Sequence, residues 1–206
     1  MTQTRSSRRV PRGEKRRDEI AAVAERVFLE RGYSETTMQH IADYAGASKE
    51  TLYRHFGCKG TLFSEVMRRR SSEVMSGEED GALCGSPPEV LFSLALNLLH
   101  LLTRADSLRL YRVVVAETPR EPELGRIFYG QGPGRILTRL TDYLDETGKK
   151  GELNVPNPSL AARLFIGSVT TFHQIQGLAM QATFPDAELQ IHAREAVALF
   201  LARYGA

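Results

Sequence analysis

Residues 36 to 56, TTMQHIADYAGASKETLYRHF, carry the spacing of two short helices joined by a tight turn. Thr36 or Thr37 supplies a hydroxyl that accepts an orphan backbone N–H at a helix start, and Met38, Ile41, Ala42 and Ala45 then recur on one face. Asp43 and Tyr44 fall outside that stripe. Gly46 stands where a helix ends in the left-handed conformation, which glycine enters without a steric penalty. Ser48 is a second cap with Glu50 or Thr51 behind it, and Leu52 and Phe56 mark the buried side of the next helix. Ser48, Lys49, Glu50, Thr51, Tyr53, Arg54 and His55 are left to form an outward face dense in donors, acceptors and aromatic edges. Such a pair of helices is predicted to be a helix-turn-helix, which sets its second helix in the major groove of DNA. A merely solvated helix face is the plain alternative. Against it stands the coincidence of cap, glycine turn and polar face at one spacing.

Charge is distributed in keeping with this reading. The 206 residues carry a net charge of only +2, yet residues 1 to 70 hold 15 Lys/Arg against 9 Asp/Glu, and residues 71 to 206 hold 12 against 16. Much of the excess lies in Arg5, Arg8, Arg9, Arg12, Lys15, Arg16 and Arg17, read as a basic arm ahead of the first helix. An arm of this kind follows phosphates or enters a minor groove; a solubilising tail is the plain alternative. No run approaches a membrane span and the first residues are polar and basic, so a cytoplasmic protein without a membrane partner is expected. Cys58 and Cys84 have neither disulfide nor metal spacing. A nucleophile elbow, a phosphate loop and zinc spacing are all missing, and the five histidines are scattered, so neither catalysis nor a cofactor is expected.

The rest of the chain has a helical period. Ile20, Val23, Ala24, Val27 and Phe28 predict a first helix over 14 to 31, stopped by Gly32. Leu62, Phe63, Val66 and Met67 share a face of a helix starting at Lys59, and residues 76 to 88, SGEEDGALCGSPP, interrupt the pattern as a loop or domain boundary. Leu91, Leu94, Ala95, Leu98, Leu99 and Leu102 predict a core helix. Leu108, Tyr111, Val114 and Val115 predict a shorter one after Asp106 or Ser107. Residues 120 to 147 read as a long helix kinked or broken at Gly130, Gly132, Pro133 and Gly134. Residues 148 to 158 read as loop, followed by helices over 160 to 182 and 189 to 204. These last helices carry small residues, Gly167, Ser168, Gly177 and Ala179, beside Leu164, Phe165, Val169 and Phe172. That pattern suits a two-fold contact between copies and burial inside one copy equally well.

Residues 32 to 63, GYSETTMQHIADYAGASKETLYRHFGCKGTLF, resemble the N-terminal domain of the TetR family of transcriptional regulators throughout. Residues 109 to 140, RLYRVVVAETPREPELGRIFYGQGPGRILTRL, resemble more loosely the C-terminal domain of its AefR-like branch. The resemblance implies an all-α fold in which an N-terminal three-helix helix-turn-helix DNA-binding domain precedes a helical ligand-binding and dimerisation domain. The expected division is an arm over 1–13, a DNA-binding domain over 14–58 and the larger domain over 59–206. By resemblance, Thr37 and Lys59 hold phosphates, Tyr53 and His55 grip the DNA backbone, and Ala47, Ser48, Lys49, Glu50 and Arg54 lie against or near base edges. Many members carry glycine where this chain has Glu50, whose carboxylate either accepts from cytosine or repels a phosphate.

For a ligand cavity, the candidates are His100, Tyr111, Tyr129, Phe165, Phe172, His173 and Gln176, with Arg109 or Arg112 for an anionic group. Cys58 sits near a helix start beside Lys59, where dipole and cation lower a thiol pKa; a small capping residue without redox role is the plain reading. The function expected is a ligand-responsive regulator, read as a repressor, that binds a palindromic double-stranded DNA operator as a homodimer and is released by a small-molecule inducer of unknown identity. An activator, a partner-controlled regulator and a small-molecule binding protein with little DNA use are the alternatives.

Overall fold

A computed structural model of the chain describes residues 12–75 and 83–206. Among these residues there are ten helices: α1 Arg12–Arg31, α2 Met38–Tyr44, α3 Lys49–Phe56, α4 Lys59–Val74, α5 Pro87–Thr103, α6 Ala105–Glu117, α7 Pro122–Gln131, α8 Pro133–Lys149, α9 Pro158–Met180 and α10 Asp186–Tyr204. The fold is all-α. The chain divides into two compact units, Met1–Val66 and Met67–Ala206.

In the first unit, Ile20, Ala24, Val27 and Phe28 line one side of α1 and are fully buried with Ile41, Leu52 and Leu62. Phe28, Tyr33 and Phe63 form a triangle with ring centroids 5.3 to 5.5 Å apart. Burial of each such side chain stabilises the unit by about 1.5–3 kcal/mol, and edge-on ring contact adds to this. The division at Val66 falls later than the expected one at Cys58, because Leu62, Phe63 and Val66 of α4 are buried and belong to this unit.

Part of the basic run read as an arm is helical. Arg12, Lys15, Arg16 and Arg17 lie within α1. Arg16 Nη2 donates to the carbonyls of Ala45 and Gly46 at 3.0 and 3.1 Å, and Arg17 Nη2 meets Glu65 Oε2 at 3.3 Å with its guanidinium over the Phe56 ring. These groups thus brace the small unit, a role that needs long cationic stems and that sequence position alone does not distinguish from a DNA-following arm. Arg5, Arg8 and Arg9 lie outside the described residues.

In the second unit, α5 packs against α9 and α10, and α8 packs against α9. Leu91, Leu94, Leu99, Leu140, Leu144 and Phe165 are central to its core, with Phe165 edge-on to Phe200 at 5.3 Å. Tyr143 donates to the Gly85 carbonyl at 2.9 Å; burial, then the nearby Glu152 carboxylate, push its phenol up to about 12. The C-terminus is tied back by the Leu153–Gly205 bridge and an Asn154 to Tyr204 backbone bond of 2.7 Å.

Several expected boundaries shift. Pro87 and Pro88, read as loop, open α5, where a missing N–H costs nothing because the first turn leaves its donors unpaired. Residues 76–82 of that loop lie outside the described residues. Pro158 likewise opens α9, and Asp186 starts α10 earlier than the apolar pattern does. Val115 is 56% exposed, and Leu110 takes the buried position instead. The break expected within 120 to 147 is present: α7 and α8 divide at Gly132, one of the four residues that marked it. A side chain at Gly132 would place its Cβ 2.8 Å from the Phe128 carbonyl oxygen, so the break is built around the absence of one.

Candidate nucleic-acid interface and helical cavity

The helix-turn-helix is assembled by local bonds. Thr37 is the cap of α2, its hydroxyl oxygen accepting from His40 N at 3.1 Å. Thr36 has a different role: it is buried, and its hydroxyl donates to the Gly32 carbonyl at 2.6 Å, tying the approach to α2 back to the end of α1. Gly46 adopts φ +56, the left-handed turn expected of it. Ala47 N then donates to the Ala42 carbonyl at 3.0 Å. Ser48 caps α3 by accepting from Thr51 N at 3.1 Å. With Leu52 and Phe56 buried, α3 has one anchored face and one open face.

On the open face Lys49, Glu50, Tyr53 and Arg54 are exposed with Ser48, while Ala47, Thr51 and His55 are half-buried. Lys49 Nζ stands 5.8 Å from the Tyr53 ring centroid, one helical turn on. Thr37 is exposed at the start of α2; its oxygen is engaged, but its hydroxyl hydrogen remains able to donate. Lys59 behaves differently from the others. Its ammonium donates to the carbonyls of Tyr33 and Ser34 at 2.7 and 3.4 Å and lies over the Tyr33 ring at 4.3 Å, so it first secures the loop between α1 and α2. Cys58 is exposed at the head of α4. Its sulfur lies 3.2 Å from Thr61 Oγ1 and accepts from Thr61 N at 3.4 Å, bonds that hold the thiol below its ordinary value.

The second unit contains a cavity of about 330 Å³, at the lower end of the range for small-molecule sites. Its wall draws on six helices, α4 to α9. Leu98, Leu102, Leu108, Phe128, Ile136 and Ile166 make it mostly apolar. Tyr111 sits edge-on to Phe128 at 5.8 Å, and Tyr129, 59% exposed, stands at the rim. Polar groups are few: Arg70, Ser71, Ser107, Thr170 and Gln174, with the Tyr111 and Tyr129 hydroxyls.

Of the expected ligand residues, therefore, the cavity uses Tyr111 and Tyr129. Phe165 is core. Phe172 is 73% exposed, and Arg109 and Gln176 are also exposed away from the wall. Arg112 donates to the Gly177 and Leu178 carbonyls at 3.1 and 2.7 Å, and His100 bonds Asp186 at 2.7 Å. His173 is buried beside Phe184 and His192. Burial, then the charge of His192, hold its imidazole below the ordinary value, against the raising pull of Glu188 3.6 Å away.

Arg70 was missed. It is 4% exposed, and its guanidinium donates to Ser107 Oγ at 2.6 Å and to Asp106 Oδ2 at 2.8 Å. Arg104 also bonds Asp106, at 2.8 Å, and Glu73, at 3.0 Å. Burial opposes ionisation of Asp106, but the Arg104 bonds and the Arg70 charge outweigh it and hold the carboxyl below its ordinary value. In sequence Arg70 ends a run of three arginines, and only the facing Asp106 and Ser107 mark it as buried. Among the described residues no helix is long and apolar enough to cross a membrane, and no cluster of His, Cys, Asp and Glu suits a metal ion.

Comparison with known proteins agrees with this architecture. Residues 20–66 match the family described as bacterial regulatory proteins, tetR family, and residues 89–206 match the AefR-like transcriptional repressor, C-terminal domain. The chain is 42% identical over 73 residues to the HTH-type transcriptional activator FasR of Mycolicibacterium smegmatis, covering 35% of this chain and 33% of that protein. It is 30% identical over 101 residues to the HTH-type transcriptional regulator AcrR of Shigella flexneri, covering 48% and 47%. It thus spans less than half the length of either of these curated relatives. The structure of a TetR-family transcriptional regulator from Mesorhizobium loti aligns over 95% of this chain and 100% of its own, with 32% identity and a TM-score of 0.77. That of the flavonoid-responsive regulator FrrA covers 93% and 98%, with 26% identity and a TM-score of 0.72. These relatives are regulators of transcription rather than enzymes. With both domains matched in order, the chain belongs to the TetR family of helix-turn-helix transcriptional regulators and carries an AefR-like C-terminal domain.

Proposed function

We propose that the protein is a repressor that binds a palindromic operator as a homodimer and is released when a small molecule enters the cavity. The observation that carries this reading is α4 itself. Lys59 at its start holds the loop ahead of the helix-turn-helix, and Met67, Arg70 and Ser71 further along it line the cavity. A ligand that favours a different placement of α4 would favour a different placement of the DNA-reading helix, and its leverage equals its differential affinity for the two states. Repression agrees with the AefR-like repressor domain, although FasR shows that relatives of the DNA-binding domain also activate. FrrA, named as flavonoid-responsive, supports response to a small molecule.

Dimerisation is supported by apolar side chains exposed along the last two helices. Leu164, Phe172 and Ile175 of α9 and Ile191 and Leu199 of α10 are each more than half exposed. A self-complementary four-helix contact would cover them. Gly177, by contrast, serves the single chain: a Cβ there would stand 2.8 Å from Leu108 of α6.

Selection of duplexes from a randomised library by the purified protein, at near-physiological salt, tests the reading. An enriched inverted repeat is expected, and enrichment of a lone half-site or of nothing would overturn it. The double change Phe172→Glu and Leu199→Glu is expected to give a folded monomer by sedimentation, with operator affinity reduced at least tenfold. A dimer that survives both changes would place the contact elsewhere.

A further inference from the structure

The chemical class of the cavity's occupant follows from the hydrogen-bond and charge accounts of its wall. Among the described residues that line it there is no carboxylate, and the charged group present is Arg70. That guanidinium is already engaged with Asp106 and Ser107, and Asp106 is in turn held by Arg104. A cationic ligand would therefore be buried without a counter-charge. An anionic one would share the Arg70 guanidinium with Asp106 and so meet a like charge at close range. Either choice leaves a charge poorly compensated in an apolar enclosure, where isolated charges are costly.

The neutral polar groups point the same way. Ser71 Oγ donates its hydrogen to the Arg68 carbonyl at 2.8 Å, and Thr170 Oγ1 donates its own to the Ile166 carbonyl at 2.8 Å. Each hydroxyl is left with oxygen lone pairs, which accept and cannot donate further. Thr170 and Gln174 are four residues apart on α9 and so share a helix face at the wall, where the Gln174 amide offers an accepting Oε1 and a donating Nε2 beside the Thr170 lone pairs. Opposite in character stands the aromatic pair Tyr111 and Phe128. A flat ring against those side chains gains area and edge-on contact.

We propose that the cavity selects an uncharged hydroxylated aromatic compound, a phenol in the simplest case, whose ring packs against Tyr111 and Phe128 and whose hydroxyl donates to the Thr170 and Gln174 pair. The proposal rests on the reading of the cavity as the effector site. Its class is matched by complementarity: hydroxyl lone pairs and an amide met by a hydroxyl that both accepts and donates, an apolar wall met by a ring, and a compensated ion pair met by no net charge.

The test is calorimetric titration of the full chain at neutral pH with four probes that share one ring system: 2-naphthol, naphthalene, 2-naphthoate and trimethyl-2-naphthylammonium. 2-Naphthol is expected to bind at least tenfold more tightly than either ion. The double variant Thr170→Val and Gln174→Leu, checked for folding by circular dichroism, is expected to lower 2-naphthol affinity to that of naphthalene and to leave naphthalene unchanged. An ion that binds as tightly as 2-naphthol, or a double variant that binds 2-naphthol undiminished, overturns the class. Release of the selected operator by the tightest probe reports separately on the effector reading. A charged probe that binds best and releases DNA sinks the class and keeps the effector role; tight 2-naphthol binding without release does the reverse. Failure of all four to bind removes both.

Discussion

The recognition helix and the cavity wall use polar groups in opposite ways. On α3 they stand exposed on a helix of eight residues, anchored by Leu52 and Phe56 and started by a Ser48 cap. In the cavity wall they are few, and the charged one, Arg70, is buried and already paired with Asp106 and Ser107. The difference teaches that a surface meant to meet a polyanion keeps its donors open to solvent, whereas a pocket for an apolar molecule must satisfy its own charges before anything enters.

The largest expected effect comes from separating the two regions. Phe63→Ala removes a ring buried between Phe28 and Tyr33 and should cost about 3–5 kcal/mol of the first unit's stability, read by urea titration. DNA binding should fall sharply while binding of 2-naphthol by the second unit persists; loss of both would mean that the units do not fold independently. Arg54→Ala comes next, with about 1–3 kcal/mol lost at one base pair of the operator and relaxed preference there. A uniform loss across sequences would reassign Arg54 to phosphates.

Lys59→Met sharpens the division between holding the fold and holding DNA. The loss of charged donors to Tyr33 and Ser34 should destabilise the first unit by about 1.5 kcal/mol. A salt slope of DNA binding lowered by about 1 would add a phosphate contact to that structural role, and an unchanged slope would leave the structural role alone. Ser48→Ala should cost about 1 kcal/mol through the lost α3 cap, visible as a lower melting temperature.

The smallest effect concerns pH. Burial holds folded His173 below its ordinary value of 6.5, so below that pH the unfolded chain takes up a proton that the folded ring resists. Its contribution is full above pH 6.5 and is lost as pH falls through the folded value. Melting temperatures across this window should show the loss in the native chain and a flatter profile in His173→Gln; equal slopes would assign the dependence to other groups.

Legibility in sequence tracks how local each feature is. The helix-turn-helix was readable, apart from the choice between Thr36 and Thr37 as its first cap, because Thr37, Gly46 and Ser48 act within three or four positions of themselves, through caps and one left-handed turn. Helix periods in the second unit were readable too, apart from ends opened by Pro87 and Pro158, where proline serves as a first residue rather than a stop. The cavity was not. His100, Phe165, Phe172, His173 and Gln176 are chemically suitable, but their helix faces point to core, surface or α10, and the wall instead takes Arg70, Thr170 and Gln174.

By itself, then, the sequence determined the all-α class and the helix-turn-helix, because short-range hydrogen bonds and a 3.6-residue period leave marks at fixed spacing, while the order of the two domains came from its resemblance to the TetR family. Tertiary structure alone decided which arginines brace the fold and which side chains share the cavity. Those outcomes depend on pairs such as Arg16 with Ala45, Met67 with Gly132, and Arg70 with Asp106. Partners so far apart along the chain meet only when helices pack, and packing angles and close approaches follow from the shapes of both faces together.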